Sequence, residues 1–438
     1  MLRILPAQDA GRLLQRRAAR MTEAEATVRP ILDAVRTRGD KALLEYARHF
    51  DQFDRRSVAV PQAELDAAAA RLSPAFRKAV QTSARNVRAY AQLQLPQAKK
   101  AKPAPGLELS QIVRPLDSVA AYIPAGRYPL PSTVIMTVVP AAVAGVPNIM
   151  VCSPRAVDGI FGTASLLKAT RVFQMGGAHS IAAFAYGTRT VPKADRIVGP
   201  GNIYVAAAKK LLAGEVGIDF VAGPTEILII ASEANPAWLA ADLLAQAEHD
   251  TDASAILLTT SRTLAEAVAA EVEKQLETLP TAPTARVAIN RNSAVILVDN
   301  DQQAVELSNR FAPEHLSIHD PRLLPGIRHA GSVFVGPYST EAAGDYASGP
   351  NHVLPTSGAA RLRGGLSAAD YVKVISVQKL TRQALTALTP AVTTLARAEG
   401  LEAHARSAEI RQTQPAKVGQ ASRPAAGLQA GPAKEPNA

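Results

Sequence analysis

Short apolar runs separated by helical stretches follow one another from about residue 118 onward. The runs end at glycine, proline or polar residues, as strands do, and the stretches between them carry apolar residues at helical spacing. This pattern predicts strands at 118–123, 148–152, 171–175 and 195–198, and a second set at 226–231, 254–260, 294–298, 315–319 and 331–335. Helices are predicted between them at 132–144, 202–213, 236–249, 262–278 and 301–310.

Strands that alternate with helices in this way indicate parallel sheets covered on both faces. Two sets of strands predict an α/β fold with two Rossmann-like lobes and a cleft between them. A Gly-x-Gly-x-x-Gly fingerprint does not occur in the sequence, so glycines alone are weak evidence for a dinucleotide. The stretches at about 22–97 and 367–404 are predicted to be helical.

Composition and charge narrow the classes of partner. Aromatic residues make up 4% of the 438 residues, with one tryptophan, so aromatic platforms for single-stranded nucleic acid are not expected. The net charge of +10 comes from lysines and arginines scattered along the chain, and no run resembles a nucleic-acid arm. We therefore expect no nucleic-acid partner, and an excess of cations suits a phosphate-bearing cofactor.

The sequence predicts neither a membrane segment nor a disulfide. Its first residues lack the apolar core of a signal peptide, and the apolar stretch 134–151 is interrupted by Pro140, Gly145 and Pro147. We expect a cytoplasmic protein without a membrane partner. The single cysteine, Cys152, excludes an internal disulfide and a cysteine-based zinc site; a buried, unreactive thiol is expected, with a reactive thiol as the alternative.

Polar residues that can bind a metal end the apolar face of the predicted helix at 236–249. Leu239 and Leu243 form an apolar stripe, and the same spacing reaches Gln246 and then His249. Imidazole is a common zinc ligand and an amide oxygen is a weaker one, so this pair is a candidate metal site. The alternative is a glutamine and a histidine satisfied at an interface.

Two later segments could complete such a site. Asp345 lies in the small-residue segment 344–349, where a backbone without bulk allows close approach to a ligand, although a turn-forming aspartate is the alternative. Near the end of the fold, His404 follows Glu399 by five residues and could supply a fourth ligand. An exposed histidine on a terminal helix is the alternative there.

A carboxylate stands beside an imidazole at Glu314 and His315, directly after Pro313. A glutamate with a raised pKa can activate water, and a histidine can take a proton from an alcohol. Adjacent residues of an extended segment point to opposite sides, so a turn must direct both toward one ligand. A surface pair at the start of a strand is the alternative.

Two glycine-containing turns are candidate phosphate sites. One, at 176–179, follows a predicted strand and ends in His179, and the other, at 199–202, precedes a predicted helix and ends in Asn202. Backbone N–H groups at the start of a helix favour anions.

These segments, taken in order, resemble those of the histidinol dehydrogenase family. The resemblance runs from about residue 22 to residue 411, and its motifs are weak one by one but specific as an ordered set. The motifs are Tyr122-Ile123-Pro124, Gly199-Pro200-Gly201-Asn202, Ala222-Gly223-Pro224, Gln246-Ala247-Glu248-His249, Ala312-Pro313-Glu314-His315-Leu316, Gly344-Asp345-Tyr346-Ala347-Ser348-Gly349, Asn351-His352-Val353-Leu354-Pro355-Thr356 and Leu401-Glu402-Ala403-His404.

The resemblance implies an enzyme that oxidises L-histidinol to L-histidine through L-histidinaldehyde, with reduction of two NAD, as the last step of histidine biosynthesis. It also implies a homodimer with one zinc ion per subunit. The zinc ligands would be Gln246, His249, Asp345 and His404. The residues at NAD-contacting positions are Tyr122, His179 and Asn202. The residues at substrate-contacting positions are Thr225, Gln246, His249, His315, Asp345, Glu399 and His404.

The same resemblance implies a division of labour among these residues. Zinc has no redox role, so it would orient the substrate. His315 would take the hydroxyl proton in the first step, and Glu314 would deprotonate a water in the second. Because the family's C-terminal segment crosses to the other subunit, Glu399 and His404 would complete the partner's site.

The expected domains follow from the resemblance. They are a helical N-terminal arm at 1–18, a larger α/β domain for substrate and zinc at 19–121 and 223–366, an inserted α/β domain on the NAD side at 122–222, a helical dimerisation segment at 367–412 and a disordered tail at 413–438.

Three positions depart from the family pattern: His179 replaces a usual glutamine, Thr225 a usual serine and Ala125 a usual glycine. The first two keep open a related NAD-linked alcohol dehydrogenase, for instance one resembling sulfopropanediol dehydrogenase, whereas retention of Glu399 and His404 argues against it. A non-catalytic binding protein is a second alternative, which the intact Glu314–His315 pair disfavours.

Overall fold

The computed structural model describes residues 2–14, 19–126 and 128–413. The chain divides into two compact units, of which the first consists of Met1–Pro96 and Arg114–Lys373. The second unit consists of Gln97–Val113 and the residues from Val374 onward. Apart from Thr413, which ends a helix, the tail expected at 413–438 lies outside the described residues.

The strands of the described chain are β1 (Arg3–Pro6), β2 (Lys99–Ala104), β3 (Leu107–Pro115), β4 (Ser118–Tyr122), β5 (Asn148–Ser153), β6 (Arg171–Gln174), β7 (Arg196–Val198), β8 (Gly217–Ile218), β9 (Glu226–Ile230), β10 (Ser254–Thr259), β11 (Ala294–Leu297), β12 (His315–Ile318), β13 (Ser332–Val335) and β14 (Val372–Leu380).

The α-helices are α1 (Gly11–Leu14), α2 (Ala19–Arg38), α3 (Asp40–Asp51), α4 (Gln62–Arg71), α5 (Pro74–Gln94), α6 (Pro131–Ala144), α7 (Asp158–Leu166), α8 (Gly177–Tyr186), α9 (Ile203–Leu212), α10 (Pro236–Ala247), α11 (Arg262–Leu276), α12 (Ala282–Asn292), α13 (Asp301–Phe311), α14 (Glu341–Tyr346), α15 (Arg382–Ala398) and α16 (Glu402–Thr413). Short 3₁₀ helices occur at Ala7–Ala10, Pro321–Gly326, Ala359–Arg361 and Ala368–Tyr371. Within the part of the chain that the structure covers, no helix has both the length and the apolar character needed to cross a membrane.

One sheet of the first unit has five parallel strands in the order β6-β5-β4-β7-β8. Val119 and Ala121 of β4 enter the core on one face, and Ala120 and Tyr122 enter the core on the other. Because helices cover both faces, the strands are continuous apolar runs. The chain leaves β4 in one direction for β5 and β6 and then returns to the other side for β7. The strand order therefore reverses between β4 and β7.

A second sheet of the same unit has six parallel strands in the order β1-β11-β10-β9-β12-β13. Ile227 and Ile229 of β9 pack with α10, α11 and α12, while Leu228 and Ile230 pack in the opposite core with α13. The strand order reverses between β9 and β12. The prediction of an α/β fold with parallel-sheet cores is confirmed.

The helix α10 carries its last residues back to the amino edge of the six-stranded sheet. Asn235 caps it, with its side-chain oxygen accepting from the Ala237 N–H at 2.9 Å, and Pro236 fits the first turn. Because β9 and β10 are parallel, the connecting helix must run opposite to both. Residues 246–249 thus reach the edge at which β9 and β12 begin.

The first residues differ from the expected helical arm at 1–18. Residues 3–6 form the edge strand β1, which pairs in parallel with β11, and only Gly11–Leu14 is α-helical. A strand of four residues is too short to show a period, and Pro6 is tolerated because it ends an edge strand. Residues 1 and 15–18 lie outside the described chain.

The second unit also differs from the expected uniformly helical segment at 367–412. Val372–Leu380 is the strand β14, which lies beside β3 in a three-stranded sheet, and β2 pairs antiparallel with β3. The run Val372-Lys373-Val374-Ile375-Ser376-Val377 is rich in β-branched residues, which favour strands. The helical prediction holds for α15 and α16. The proposed domain boundaries and the homodimer stay predictions.

Candidate active site

Four polar residues meet where two neighbouring parallel strands begin. Thr225 precedes β9 and Glu226 starts it, while Glu314 precedes β12 and His315 starts it. Because β9 and β12 pair in parallel, with His315 opposite Ile227, their amino ends lie side by side. The two segments are far apart in the sequence, and the register of this one strand pair brings them together.

The Glu314 carboxylate is buried and held by two donors. Its Oε2 accepts from the Thr225 hydroxyl at 2.6 Å and from the Glu226 N–H at 2.9 Å. Burial raises the pKa of Glu314, although His315 and these hydrogen bonds oppose the rise. A carboxylate with a raised pKa is a better proton acceptor, which suits it to act as a base.

The His315 imidazole is buried and oriented by the backbone. Its Nδ1 lies 3.2 Å from the Glu226 carbonyl oxygen, which can only accept, so the proton is assigned to Nδ1. This tautomer leaves Nε2 as the basic nitrogen. Nε2 has no hydrogen-bond partner among the described residues and lies 3.5 Å from Asp345 Oδ1.

Carboxylates surround the His315 ring. Glu341 Oε1 and Glu314 Oε2 lie 3.5 Å and 3.7 Å from Nδ1. Burial by itself lowers the pKa of His315, but Glu341, Glu314 and Asp345 together raise it well above its ordinary value. A cation held among these acids would offset this rise and leave the His315 Nε2 free to accept a proton.

Gln246 links the acids of the cluster through its amide. The amide Nε2 donates to Thr225 Oγ1 at 2.6 Å, and that hydroxyl donates its single proton to Glu314. This direction leaves the amide oxygen facing the Glu341 carboxylate. Oxygens that face one another in this way are stabilised by a shared proton or by a cation between them.

The opposite direction of the Gln246 amide gives both amide atoms a partner without a cation. It would let the amide nitrogen donate to Glu341. However, the amide oxygen would then need the Thr225 hydroxyl proton and the Glu226 N–H, both of which already bind Glu314. A cation bound there would favour the first direction, with the amide oxygen on the side of the potential metal ligands.

His249, Glu341 and Asp345 offer ligand atoms that all lie within 4.8 Å of one another. His249 Nε2 lies 3.9 Å from Asp345 Oδ2, with its side chain 38% exposed. Imidazole and carboxylate groups are common zinc ligands. This donor set fits a divalent cation, as does the His315 Nε2, which has no hydrogen-bond partner in the described part of the chain.

Asp345 is held by its own helix and by a partly buried histidine. It lies on the short helix α14, and His352 Nδ1 donates to its backbone carbonyl oxygen at 2.8 Å. Gly344 packs against Phe334, where a Cβ would overlap the ring. Burial by itself raises the pKa of Asp345, but interactions with His315, His352 and His249 lower it overall. Asp345 is therefore suited to remain ionised.

Glu341 is the site residue that the sequence analysis missed. It is buried and begins α14 after the Thr340 cap, one helical turn before Asp345. Burial raises its pKa well above the ordinary value, and the neighbouring acids Asp345 and Glu314 add to the rise. The available signal was the i, i+4 spacing, which places both acids on one face of a helix.

Glu399 and His404 lie on the second unit. Glu399 follows the last turn of α15, His404 lies on α16, and both are exposed. The cluster of potential metal ligands in the first unit does not include His404. The role expected for these two residues stays a prediction.

The residues expected on the NAD side lie at the carboxyl edge of the five-stranded sheet. Tyr122 ends β4, and Asn202 caps α9, with its oxygen accepting from the Tyr204 and Val205 N–H groups. Tyr122 is buried, which raises the pKa of its phenol, and its hydroxyl oxygen accepts from the Gly177 N–H at 3.4 Å. This edge, at the reversal of strand order between β4 and β7, is where open α/β sheets bind ligands.

The His179 side chain is fully buried. Its Nε2 lies 2.9 Å from Asp51 Oδ2, which also accepts from the Gly176 N–H at 2.8 Å. This arrangement fastens the 176–179 turn and leaves the imidazole without access to a ligand at the surface. Cys152 is also buried, which raises the pKa of its thiol to about 12 and agrees with the expected unreactive thiol.

Two contacts bring the carboxyl edge of the five-stranded sheet to the metal-ligand cluster. The Tyr128 hydroxyl, in the segment between β4 and α6, donates to the Glu248 carbonyl oxygen at 3.4 Å. Thr133, in the first turn of α6, lies 3.3 Å from His352 Nε2. The segment that follows the strand reversal thus touches the neighbours of both His249 and Asp345.

Similarity to known proteins agrees with this architecture. The sequence matches the family model for histidinol dehydrogenase over residues 14–412. A histidinol dehydrogenase of Halalkalibacterium halodurans is 45% identical over 393 residues, which cover 88% of this chain and 93% of the relative. One from Rhizobium meliloti is 46% identical over 399 residues, 89% of this chain and 92% of the relative. The crystal structure of histidinol dehydrogenase from Elizabethkingia anophelis has 36% identity and a TM-score of 0.89, covering 94% of this chain and 98% of that one.

Proposed function

The chain belongs to the histidinol dehydrogenase family and is an NAD-dependent oxidoreductase of histidine biosynthesis, and we propose that the cluster around Glu314 and His315 is its catalytic centre. One observation carries this proposal. His315 is buried with Nδ1 on a backbone carbonyl oxygen, and its Nε2, which has no hydrogen-bond partner among the residues described, lies 3.5 Å from the carboxylate of the potential metal ligand Asp345.

The substrate is proposed to be L-histidinol, which is oxidised twice. In the first step the alcohol carbon gives a hydride to NAD, and His315 Nε2 accepts the hydroxyl proton. In the second step Glu314 accepts a proton from the water that adds to L-histidinaldehyde, and the hydrate gives a second hydride to another NAD. Each step thus yields one NADH, and the acid product contains the oxygen of that water.

The buried pair supports these two roles. Hydrogen bonds from Thr225 and Glu226 hold Glu314 in one orientation beside His315. Because Glu314 is already oriented, less entropy is lost in bringing the base into position in the transition state. The raised pKa of Glu314 brings it closer to the working pH of a general base.

Zinc is proposed to be held by Gln246, His249 and Asp345, with His404 of the partner subunit as the fourth ligand and one ion per subunit. When bound, zinc would orient the substrate and polarise its hydroxyl oxygen. Glu341 lies near enough to orient the Gln246 amide and the His315 ring. The substrate would lie against Thr225, Gln246, His249, His315 and Asp345, with Glu399 and His404 of the partner subunit facing it.

NAD is proposed to bind along the carboxyl edge of the five-stranded sheet, near Tyr122, His179 and Asn202. Because the His179 side chain is buried against Asp51, its part in binding would be made through the turn that it fastens. The contacts of Tyr128 and Thr133 with the neighbours of the metal ligands support a path from this edge to His315.

The assembly is proposed to be a homodimer in which each C-terminal segment completes the partner's site. A cytoplasmic location is proposed because the reaction consumes the soluble cofactor NAD and a soluble amino alcohol.

Metal analysis coupled to a histidinol-dependent NADH assay tests the proposal. Purified protein should contain about one zinc per chain and form two NADH per histidinol. The same assay with short diols and sulfonated alcohols tests the alternative that the chain is a related alcohol dehydrogenase, which the departures from the family pattern at Thr225 and His179 suggest. NADH formed with another alcohol but not with histidinol would overturn the assignment of substrate.

A further inference from the structure

The turn at Gly199 lies at the reversal of strand order in the five-stranded sheet. It follows β7, and Gly199 has a φ of +108°, a backbone conformation that favours glycine. A Cβ at this position would overlap the Tyr122 carbonyl oxygen at the end of β4. The turn therefore packs directly against the residue where the reversal occurs, and three residues later Asn202 caps α9.

A buried ion pair holds both backbone polar groups of Gly199. The Gly199 N–H donates to Asp219 Oδ2 at 2.8 Å, and the Gly199 carbonyl oxygen accepts from Lys209 Nζ at 3.1 Å. Lys209 and Asp219 are also ion-paired with each other, and their side chains are 2% and 0% exposed. One glycine is thus fixed from both sides by opposite charges.

The two charged residues come from elements that flank the turn. Lys209 lies on α9, the helix that Asn202 caps, and Asp219 directly follows β8, the edge strand beside β7. Asp219 Oδ1 also accepts from the Phe220 N–H at 2.6 Å. The pair therefore ties the helix, the edge strand and the turn into one unit.

Stability alone does not explain a fully buried ion pair. Removing two charges from water costs several kcal/mol per ion, and well-packed apolar residues of similar volume are often as stable. What apolar residues cannot do is to bind the N–H and the carbonyl of a glycine in a left-handed conformation. The specific effect of the Lys209–Asp219 pair is to fix the backbone conformation of the 199–202 turn.

We propose that Lys209 and Asp219 are positioning residues for the dinucleotide. They hold the 199–202 turn against Tyr122, so that its backbone and Asn202 are in place before the cofactor arrives. A preorganised loop loses less conformational freedom on binding, which appears as higher affinity. This role rests on the proposed binding of NAD at the carboxyl edge of the five-stranded sheet.

The test replaces both charges at once in the full-length protein. Lys209→Met with Asp219→Asn removes the ion pair and the donor to the Gly199 carbonyl, while the Asn oxygen can still accept from the Gly199 N–H. We expect the dissociation constant for NAD to rise about tenfold, the effect of one lost hydrogen bond to a buried group. The KM for histidinol and the zinc content should stay at parent values, because neither depends on this turn.

Val272→Ala provides the matched control. Val272 is fully buried on α11 against the six-stranded sheet, so its truncation weakens the fold without touching the 199–202 turn. The control should lose stability and keep its affinity for NAD. A similar loss of NAD affinity in both variants would show a general effect of instability and overturn the proposal.

Hydrogen exchange gives a second readout that does not depend on activity. The Gly199 amide should exchange faster in the double variant, because a neutral amide oxygen accepts more weakly than a carboxylate, while peptides of the six-stranded sheet exchange as in the parent. Parent-like NAD affinity in the folded double variant would overturn the positioning role. If the double variant does not fold, Lys209→Met with Asp219→Leu, an apolar pair that removes both bonds to Gly199, is measured in the same way, and unchanged affinity and exchange there would also overturn it. A parent protein that binds no NAD would instead refute the proposed function.

Discussion

His315 and Glu314 differ in what their surroundings do to them. A backbone carbonyl oxygen sets the tautomer of His315, whereas two donors and burial set the orientation and the raised pKa of Glu314. One pocket therefore holds two bases: His315, whose Nε2 lies near the potential metal ligand Asp345, and Glu314, which is held by the Thr225 hydroxyl. Two proton acceptors in fixed places suit a reaction that removes a proton in each of two steps.

Replacing Glu314 should affect the second step most. In Glu314→Gln the amide oxygen can keep one hydrogen bond to Thr225 or Glu226, but it cannot take a proton from water. We expect oxidation of histidinaldehyde to slow by about 10²–10⁴-fold and that of histidinol by much less. Single-turnover assays started from each compound measure the two steps, and equal slowing of both would contradict the assignment.

Replacing His249 should remove the metal. His249→Asn shortens the ligand and removes the imidazole, so zinc content and activity should fall together by at least tenfold. His319→Asn is the matched control, because His319 follows the carboxyl end of β12, at the opposite end of the strand from His315. Full zinc content in His249→Asn, measured by atomic emission, would refute its role as a ligand.

At the scale of elements, the direction of the crossovers determines which residues meet. The parallel strands β9 and β12 begin side by side, and the antiparallel run of α10 returns Gln246 to that edge. Glu341 and Asp345 are one turn apart in the short helix α14 and therefore lie on the same helix face. The proposed catalytic cluster is thus built at the amino edge of one sheet, and the proposed cofactor site at the carboxyl edge of the other.

Asn202 caps α9 and is also a proposed NAD contact, and two substitutions at this position distinguish the two roles. Asn202→Ala should lower the free energy of unfolding by about 1 kcal/mol, because the cap bonds to Tyr204 and Val205 are lost. Asn202→Asp keeps an oxygen cap and the stability, but its charge should weaken NAD binding. Urea unfolding and the KM for NAD measure the two effects.

Ser261→Ala is the control for this pair of variants. Ser261 caps α11 by accepting from the Leu264 N–H at 3.1 Å, so its loss should cost a similar stability and leave NAD binding unchanged. If Asn202→Asp binds NAD as the parent does, Asn202 acts as a cap alone.

For the whole molecule, the proposed sharing of sites between subunits has a distinctive consequence. A subunit that lacks Glu314 can still donate His404, and a subunit that lacks His404 can still supply Glu314. Mixed dimers of two inactive chains should therefore contain one complete site.

Complementation measures this sharing. Refolding Glu314→Gln together with His404→Asn should restore about one quarter of the parent rate of histidine formation, since about half of random dimers are mixed and each has one intact site. Glu314→Gln with His249→Asn is the control, because both residues belong to the same subunit's site, and no activity should return. An absence of recovery in the first mixture would place His404 within its own subunit's site or outside any site.

The local pattern of the sequence was sufficient for most of the two parallel sheets. Strands covered on both faces must be continuous apolar runs, so β4, β5, β9 and β10 were predicted within a residue or two of their bounds. The edge strand β1 was missed, because four residues beside a single neighbour carry little periodic signal. The strand β14 was predicted as helix, although its β-branched residues indicated a strand.

The sequence by itself determined the chemistry that could be assembled: which segments are apolar, which residues can carry protons and bind metal, and which family the motifs match. Only the tertiary structure decided that Glu341 joins the Glu314–His315 cluster, that His179 is buried on Asp51, and that Lys209 and Asp219 hold Gly199 from both sides. The physical reason is distance along the chain. Apolar periodicity acts over a few residues, whereas the burial and partners of a charged side chain depend on strand register and helix direction across the whole fold.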